Sequence, residues 1–157
     1  MGNKHVLDST HKNIEKQKTI SHEFFTFNSF QPSQVQVLQA AYMKNPSLII
    51  DFYHKGLDLN MNLNPEGWKI IHVACQTGNK ELTRFLVAKK ADLNAIEFSQ
   101  NWTPMIVAVF NNHLEIVQLL LSENVDCTKV DKDGMTALAY ALEYNNTKIF
   151  NALSSKN

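Results

Sequence analysis

Residues 102–126 read WTPMIVAVFNNHLEIVQLLLSENVD, and this stretch decides the fold. Thr103 followed by Pro104 is a helix start: threonine supplies a capping oxygen, and proline has no N–H to lose at the first helical position. About two turns of apolar side chains follow. Asn112 then interrupts them where a tight turn asks for a residue that tolerates a left-handed backbone. The second helix carries Leu114, Ile116, Val117, Leu119, Leu120 and Leu121, too much apolar circumference for a surface helix that hides one stripe. It has to be clamped between neighbours, so the unit cannot stand alone.

The neighbours are copies of it. Ala40, Ala74, Ala108 and Ala141 are spaced 34, 34 and 33 residues apart, and matching residues surround each. Eight residues past each alanine stands Leu48, Leu82, Ile116 or Ile149, and twelve past it Phe52, Leu86, Leu120 or Leu153. Gly78, Asn112 and Asn145 mark the tight turn four residues past the last three alanines. Asp58, Asp92 and Asp126 lie eighteen past the first three. Asn64-Pro65-Glu66-Gly67 and Asp131-Lys132-Asp133-Gly134 carry turn chemistry ahead of the next pair of helices.

This pattern resembles the ankyrin repeat, a hairpin, a T-P-L-H-x-A-A helix, a short loop, a second helix and G-A-D-V-N. Trp102-Thr103-Pro104-Met105, Gly78-Asn79-Lys80-Glu81-Leu82, Asn112-His113-Leu114-Glu115-Ile116-Val117 and Ala91-Asp92-Leu93-Asn94 carry the resemblance. It implies an all-α fold, a solenoid of helix-turn-helix units with connecting β-hairpin loops. The units fall at about 33–63, 64–97, 98–130 and 131–157. The first is degenerate, with Ser33 and Asn45-Pro46 as its helix starts, and the last is a cap whose Asn151, Ser154 and Ser155 are polar. Lys90 and Asn124 stand where the family has glycine, and a β-carbon in a left-handed conformation costs about 1 kcal/mol. Residues 1–32 form a separate, polar and Lys-rich segment ending in Phe24, Phe25, Phe27 and Phe30. Those rings are expected to cover the first repeat, the rival reading being a hook that orders on a partner.

Composition narrows the function. The chain has 157 residues, with fifteen basic and fifteen acidic side chains and a pI near 7.0. That balance removes the bulk attraction that nucleic acid or anionic lipid rewards. No apolar run approaches the about 18 residues of a membrane helix, and the start lacks an apolar signal core. Cys75 and Cys127 are too few for a disulfide framework, which fits a reducing, cytoplasmic setting. Fourteen lysines against the single Arg84, with 17 asparagines, suggest an AT-rich genome, and with it an effector from an intracellular bacterium acting in a host cytosol or else a protist protein.

Catalytic chemistry is hard to find. His72 and Cys75 share a helix face, but the resemblance makes His72 a structural hydrogen-bonding residue and Cys75 a core alanine substitute. Residues 126–134 lack the oxygen alternation and terminal glutamate of a calcium loop. No cofactor and no metal site are expected, and the chain reads as non-enzymatic.

The resemblance implies a concave groove lined by the hairpin tips and the exposed side of each first helix, where the repeat framework imposes little. After the hairpin glycine position stand Trp68, Trp102 and Met135, and on the free ends of the first helices Tyr42, Met43, Gln76, Phe110, Asn111 and Tyr144. Aromatic and methionine side chains bury much area at little conformational cost, as interface anchors do. These nine residues are expected to bind a partner protein, with the free chain a monomer. The alternative is a regulatory or targeting subunit of an enzyme complex whose N-terminal segment contacts the partner.

Overall fold

A computed structural model describes residues 32–123 and 125–156. Among them the helices come in pairs: α1 (Gln34–Tyr42) with α2 (Pro46–His54), α3 (Ile70–Thr77) with α4 (Lys80–Ala88), α5 (Pro104–Phe110) with α6 (Leu114–Ser122), and α7 (Ala137–Glu143) with α8 (Thr147–Ser154). The first helices stack in the order α1, α3, α5, α7, and α4, α6 and α8 form a second row behind them. The expectations for residues 1–31 and for Asn124 lie outside the described residues.

Helix starts follow the sequence signals. Ser33, Asn45, Asn79, Thr103, Thr136 and Asn146 each accept the N–H three residues on through a side-chain oxygen. Lys69 has no capping side chain, and His72 replaces it. The His72 Nδ1 accepts the Lys69 N–H at 3.1 Å, while Lys69 Nζ reaches back to Asn60 O and Asn62 Oδ1 at 2.7 and 2.9 Å. The turn between paired helices is left-handed in every unit, at Lys44 (φ 53°), Gly78 (71°), Asn112 (60°) and Asn145 (53°). At Gly78 an added β-carbon would also lie 2.6 Å from the His113 ring, whose Nε2 stands 3.1 Å from Gln76 O.

Burial runs in columns through the stack. Val37, Ile71 and Met105 occupy equivalent places and are at most 1% exposed, as are Ala40, Ala74, Ala108 and Ala141, whose small side chains let the first helices approach closely. Ala41, Cys75 and Val109 make a third column, and its last member, Leu142, is 64% exposed because no described helix lies beyond α7. The hairpins are reduced to tight turns, with a single antiparallel bridge between Val130 and Thr136 among the described residues. Backbone bonds join successive turns, from Phe98 N–H to Glu66 O and from Lys132 N–H to Gln100 O.

A chain of side-chain acceptors fixes the vertical register. Asp58 Oδ1 accepts from Asn60 N–H, Asn60 Oδ1 from Asp92, Asp92 Oδ1 from Asn94, Asn94 Oδ1 from Asp126, and Asp126 Oδ1 from Thr128, all at 2.8–3.0 Å. Each repeat thereby hands an amide oxygen to the next.

Two measurements test this framework. Lys90 holds φ 61° at an exposed helix end, so Lys90→Gly is expected to raise stability by about 0.5–1 kcal/mol in urea unfolding, the relief of left-handed strain exceeding glycine's added unfolded-state entropy. Burial pushes the His72 imidazole from 6.5 down to about 4, and the Trp102 and Ala95 carbonyls and Glu97 offset this only in part. The folded state thus favours neutral His72, a contribution complete above pH 6.5 and lost as pH falls toward 4. The drop reaches about 3 kcal/mol. Urea melts between pH 7 and pH 5 should show this slope in the wild type and a flatter one in His72→Gln.

Candidate functional site

Each hairpin turn is organised by one oxygen-bearing side chain. Asn64 Oδ1 accepts the Trp68 N–H at 2.9 Å. Glu97 accepts the N–H groups of Ser99, Gln100 and Trp102 at 2.7–3.0 Å, and Asp131 Oδ1 those of Asp133 and Met135 at 3.0 and 2.9 Å. Burial alone would raise the Glu97 carboxyl, but these bonds, with one from the Ser99 hydroxyl, hold it below the usual carboxylate range. The turns are therefore rigid, and the residue that follows each one, Trp68, Trp102 or Met135, leaves it at a fixed angle.

Trp68 and Trp102 are both half-buried against the core and not freely exposed. Trp68 packs against the His72 ring at a centroid distance of 5.6 Å. Trp102 reaches the following repeat, where its indole Nε1–H donates to Asp131 Oδ2 at 3.2 Å. The same oxygen accepts the Tyr140 hydroxyl at 2.5 Å. Burial opposes ionisation of Asp131, and the bonds from Tyr140, Met135, Asp133 and Trp102 outweigh it, so the carboxyl stays charged at unusually low pH. Tyr140 is pushed up to about 12, by burial first and then by that carboxylate.

Around this carboxylate the rings interlock. Phe110 stands 4.8 Å from Trp102, 5.9 Å from Tyr140 and 5.6 Å from Tyr144, the last at 89°, while Tyr140 and Tyr144 lie nearly parallel at 6.1 Å. Such edge-to-face contacts hold the rings in place. Phe110 and Tyr144 nevertheless remain 42% and 53% exposed.

Of the other predicted residues, Tyr42, Met43 and Gln76 lie toward the first repeats and Asn111 and Met135 beside the cluster. Tyr42, 48% exposed, donates its hydroxyl to Gln76 Oε1 at 2.9 Å across the repeat boundary, and Met43 is 78% exposed. Half-buried Asn111 turns its amide onto Val107 O at 2.9 Å. Met135 is half-buried beneath its turn. The structure thus brings Trp102, Phe110 and Tyr144 into one cluster and pairs Tyr42 with Gln76, while Trp68 is more a wall of the core than an anchor.

Sequence reasoning missed Asp131 and Tyr140. Asp131 reads as a turn residue and Tyr140 as a helix residue, and only their nine-residue separation across the hairpin hints that they meet. It also missed Phe98, 59% exposed, whose ring comes within 2.6 Å of where a Gly67 β-carbon would stand.

Cys75 and His72, which share a helix face, are both withdrawn from the surface. Cys75 is fully buried with its thiol pushed far up by desolvation, and His72 is buried beside it in sequence, spent on capping. Among the described residues no three His, Cys, Asp or Glu side chains converge on a metal-sized site, and no helix is long and apolar enough to cross a membrane.

Comparison with known proteins agrees with this geometry. A family model for ankyrin repeats (3 copies) matches residues 37–131, and one for ankyrin repeats (many copies) matches residues 112–153. Mouse Rabankyrin-5 is 29% identical over 132 residues, covering 76% of this chain and 11% of that protein. The mouse B-cell lymphoma 3 protein homolog is 37% identical over 75 residues, covering 48% and 17%. The NF-kappa-B inhibitor cactus of Drosophila melanogaster is 29% identical over 98 residues, covering 59% and 19%. The chain spans less than a fifth of the length of these relatives.

Asp131→Ala leaves four donors without their acceptor, two of them on rings. A loss of about 2 kcal/mol is expected in urea unfolding. Emission spectra of single-tryptophan variants should show Trp102 shifting red in Asp131→Ala and Trp68 staying put.

Proposed function

The chain belongs to the ankyrin-repeat family, whose repeats serve as protein-protein interaction modules, and from that premise we propose that it is non-enzymatic and docks a protein segment along the row running from Tyr42 and Met43 through Gln76, Phe110 and Asn111 to Tyr144. The observation that carries this reading is the exposure of Phe110 and Tyr144 on a platform already immobilised by Asp131. Rings fixed before contact lose little freedom on binding, which is where affinity is gained. Trp68, Trp102 and Met135 form the floor of the surface, and their turns set its shape.

Cactus is by its name an inhibitor of another protein, and control through docking alone is the role we assign here. Neutral overall charge supports association that depends weakly on salt, by a chain that is monomeric when free. The thiols of Cys75 and Cys127 fit a cytoplasmic setting, and the Lys- and Asn-rich composition fits an effector from an intracellular bacterium working in a host cytosol.

Affinity capture from host-cell lysate tests the surface. Tyr42→Ser with Tyr144→Ser should lose the captured proteins by tenfold or more, on the order of two anchors. Arg84→Ser with Gln118→Ser, exposed on the second helices, should keep them. Equal loss from both double variants would overturn the docking surface.

A further inference from the structure

Two of the four interlocked rings, Trp102 and Tyr140, are bonded to one carboxylate. Asp131 draws the Trp102 N–H and the Tyr140 O–H toward one oxygen, and a hydrogen bond donated to a carboxylate pushes electron density back into the ring that donates it. Asp133, exposed in the same turn, has its backbone N–H on Asp131 and adds a second negative charge that acts on Tyr140. Among the described residues no cation–ring contact falls on these four rings. Lys132 lies between the two aspartates in sequence, but its ammonium donates to Phe98 O at 3.1 Å, toward the preceding turn. The cation–ring contact recorded among the described residues is elsewhere, Lys89 over Tyr53 at 5.3 Å.

Phe110 and Tyr144 are each partly exposed, and their rings meet edge to face at 89°, both of them in ring contact with Tyr140, which Asp131 binds. An aromatic face attracts a cation, the more so with carboxylates behind it. A flat guanidinium fits such a corner better than a strongly hydrated ammonium, since it stacks on a ring and sheds water more readily. We propose that the Trp102–Phe110–Tyr144 platform is the seat of an arginine side chain in the partner segment. This names the anchor chemistry of the docking surface above and rests on that reading. The chain itself has a single arginine, Arg84, on α4, so the arginine is the partner's.

The test uses the full chain labelled with nitrogen-15 and two pentapeptide probes. One has glycine and serine flanking a central arginine, and its twin has citrulline, the uncharged analogue of arginine, at the centre. The arginine peptide should move the Trp102 indole N–H and the Tyr144 amide, with affinity about fivefold above that of the twin. Asp133→Asn removes an exposed carboxylate and should reduce that preference by about twofold. Tyr144→Leu should abolish the preference while leaving the rest of the spectrum dispersed. If both peptides move the Tyr42-to-Tyr144 row equally, the arginine assignment falls and the docking surface stands. If both move only residues outside that row, both readings fall. Absence of any arginine-dependent shift at millimolar peptide also overturns the proposal.

Discussion

Each first helix buries against its neighbours in the row as well as against its own second helix, and the rest of the architecture depends on how that row is packed. Val37, Ile71 and Met105, or Ala41, Cys75 and Val109, are each completed by the equivalent residue one repeat away. Fully burying a side chain such as Ile71 or Met105 contributes about 1.5–3 kcal/mol. Because packing is mainly within a unit and with the adjacent one, stability is local and accumulates along the row. The unbroken alanine column sets how closely the helices approach, and that spacing fixes the distance between successive turns.

Polar groups then supply what apolar columns cannot, a vertical register. The relay from Asp58 through Asn60, Asp92, Asn94 and Asp126 to Thr128 leaves little room for one repeat to slide against the next. The acceptors Asn64, Glu97 and Asp131 do the same inside each turn. With backbone demands met from within the framework, the exposed parts of Met43, Phe110 and Tyr144 are left over for the docking role proposed above.

The legible part of this molecule is the part governed by short-range rules. Thr103, Thr136 and Asn45 cap helices three residues away, and Gly78, Asn112 and Asn145 adopt left-handed turns, because both effects depend on immediate neighbours. Lys44 escaped notice for want of a glycine or asparagine there, although its place four residues past Ala40 marks the same turn. The candidate surface was harder to read. Its aromatic residues were visible from their register, but Trp102 binds an oxygen 29 residues away, so its half-burial follows from the stacking and not from any local signal. Leu142 shows the converse: an ordinary core residue by type, it is exposed because a column ends there.

That open end has a consequence for the aromatic cluster beside it. Like the α1–α2 unit, the α7–α8 unit is held by described neighbours on one side only, so it is more prone to fray than the two units between them. Phe110 belongs to the fully sandwiched α5, whereas Tyr144 caps α7. Whatever bridges those two rings staples an end unit to a firmly seated one, and occupancy would register as slowed amide exchange in a stretch of chain the ligand never touches.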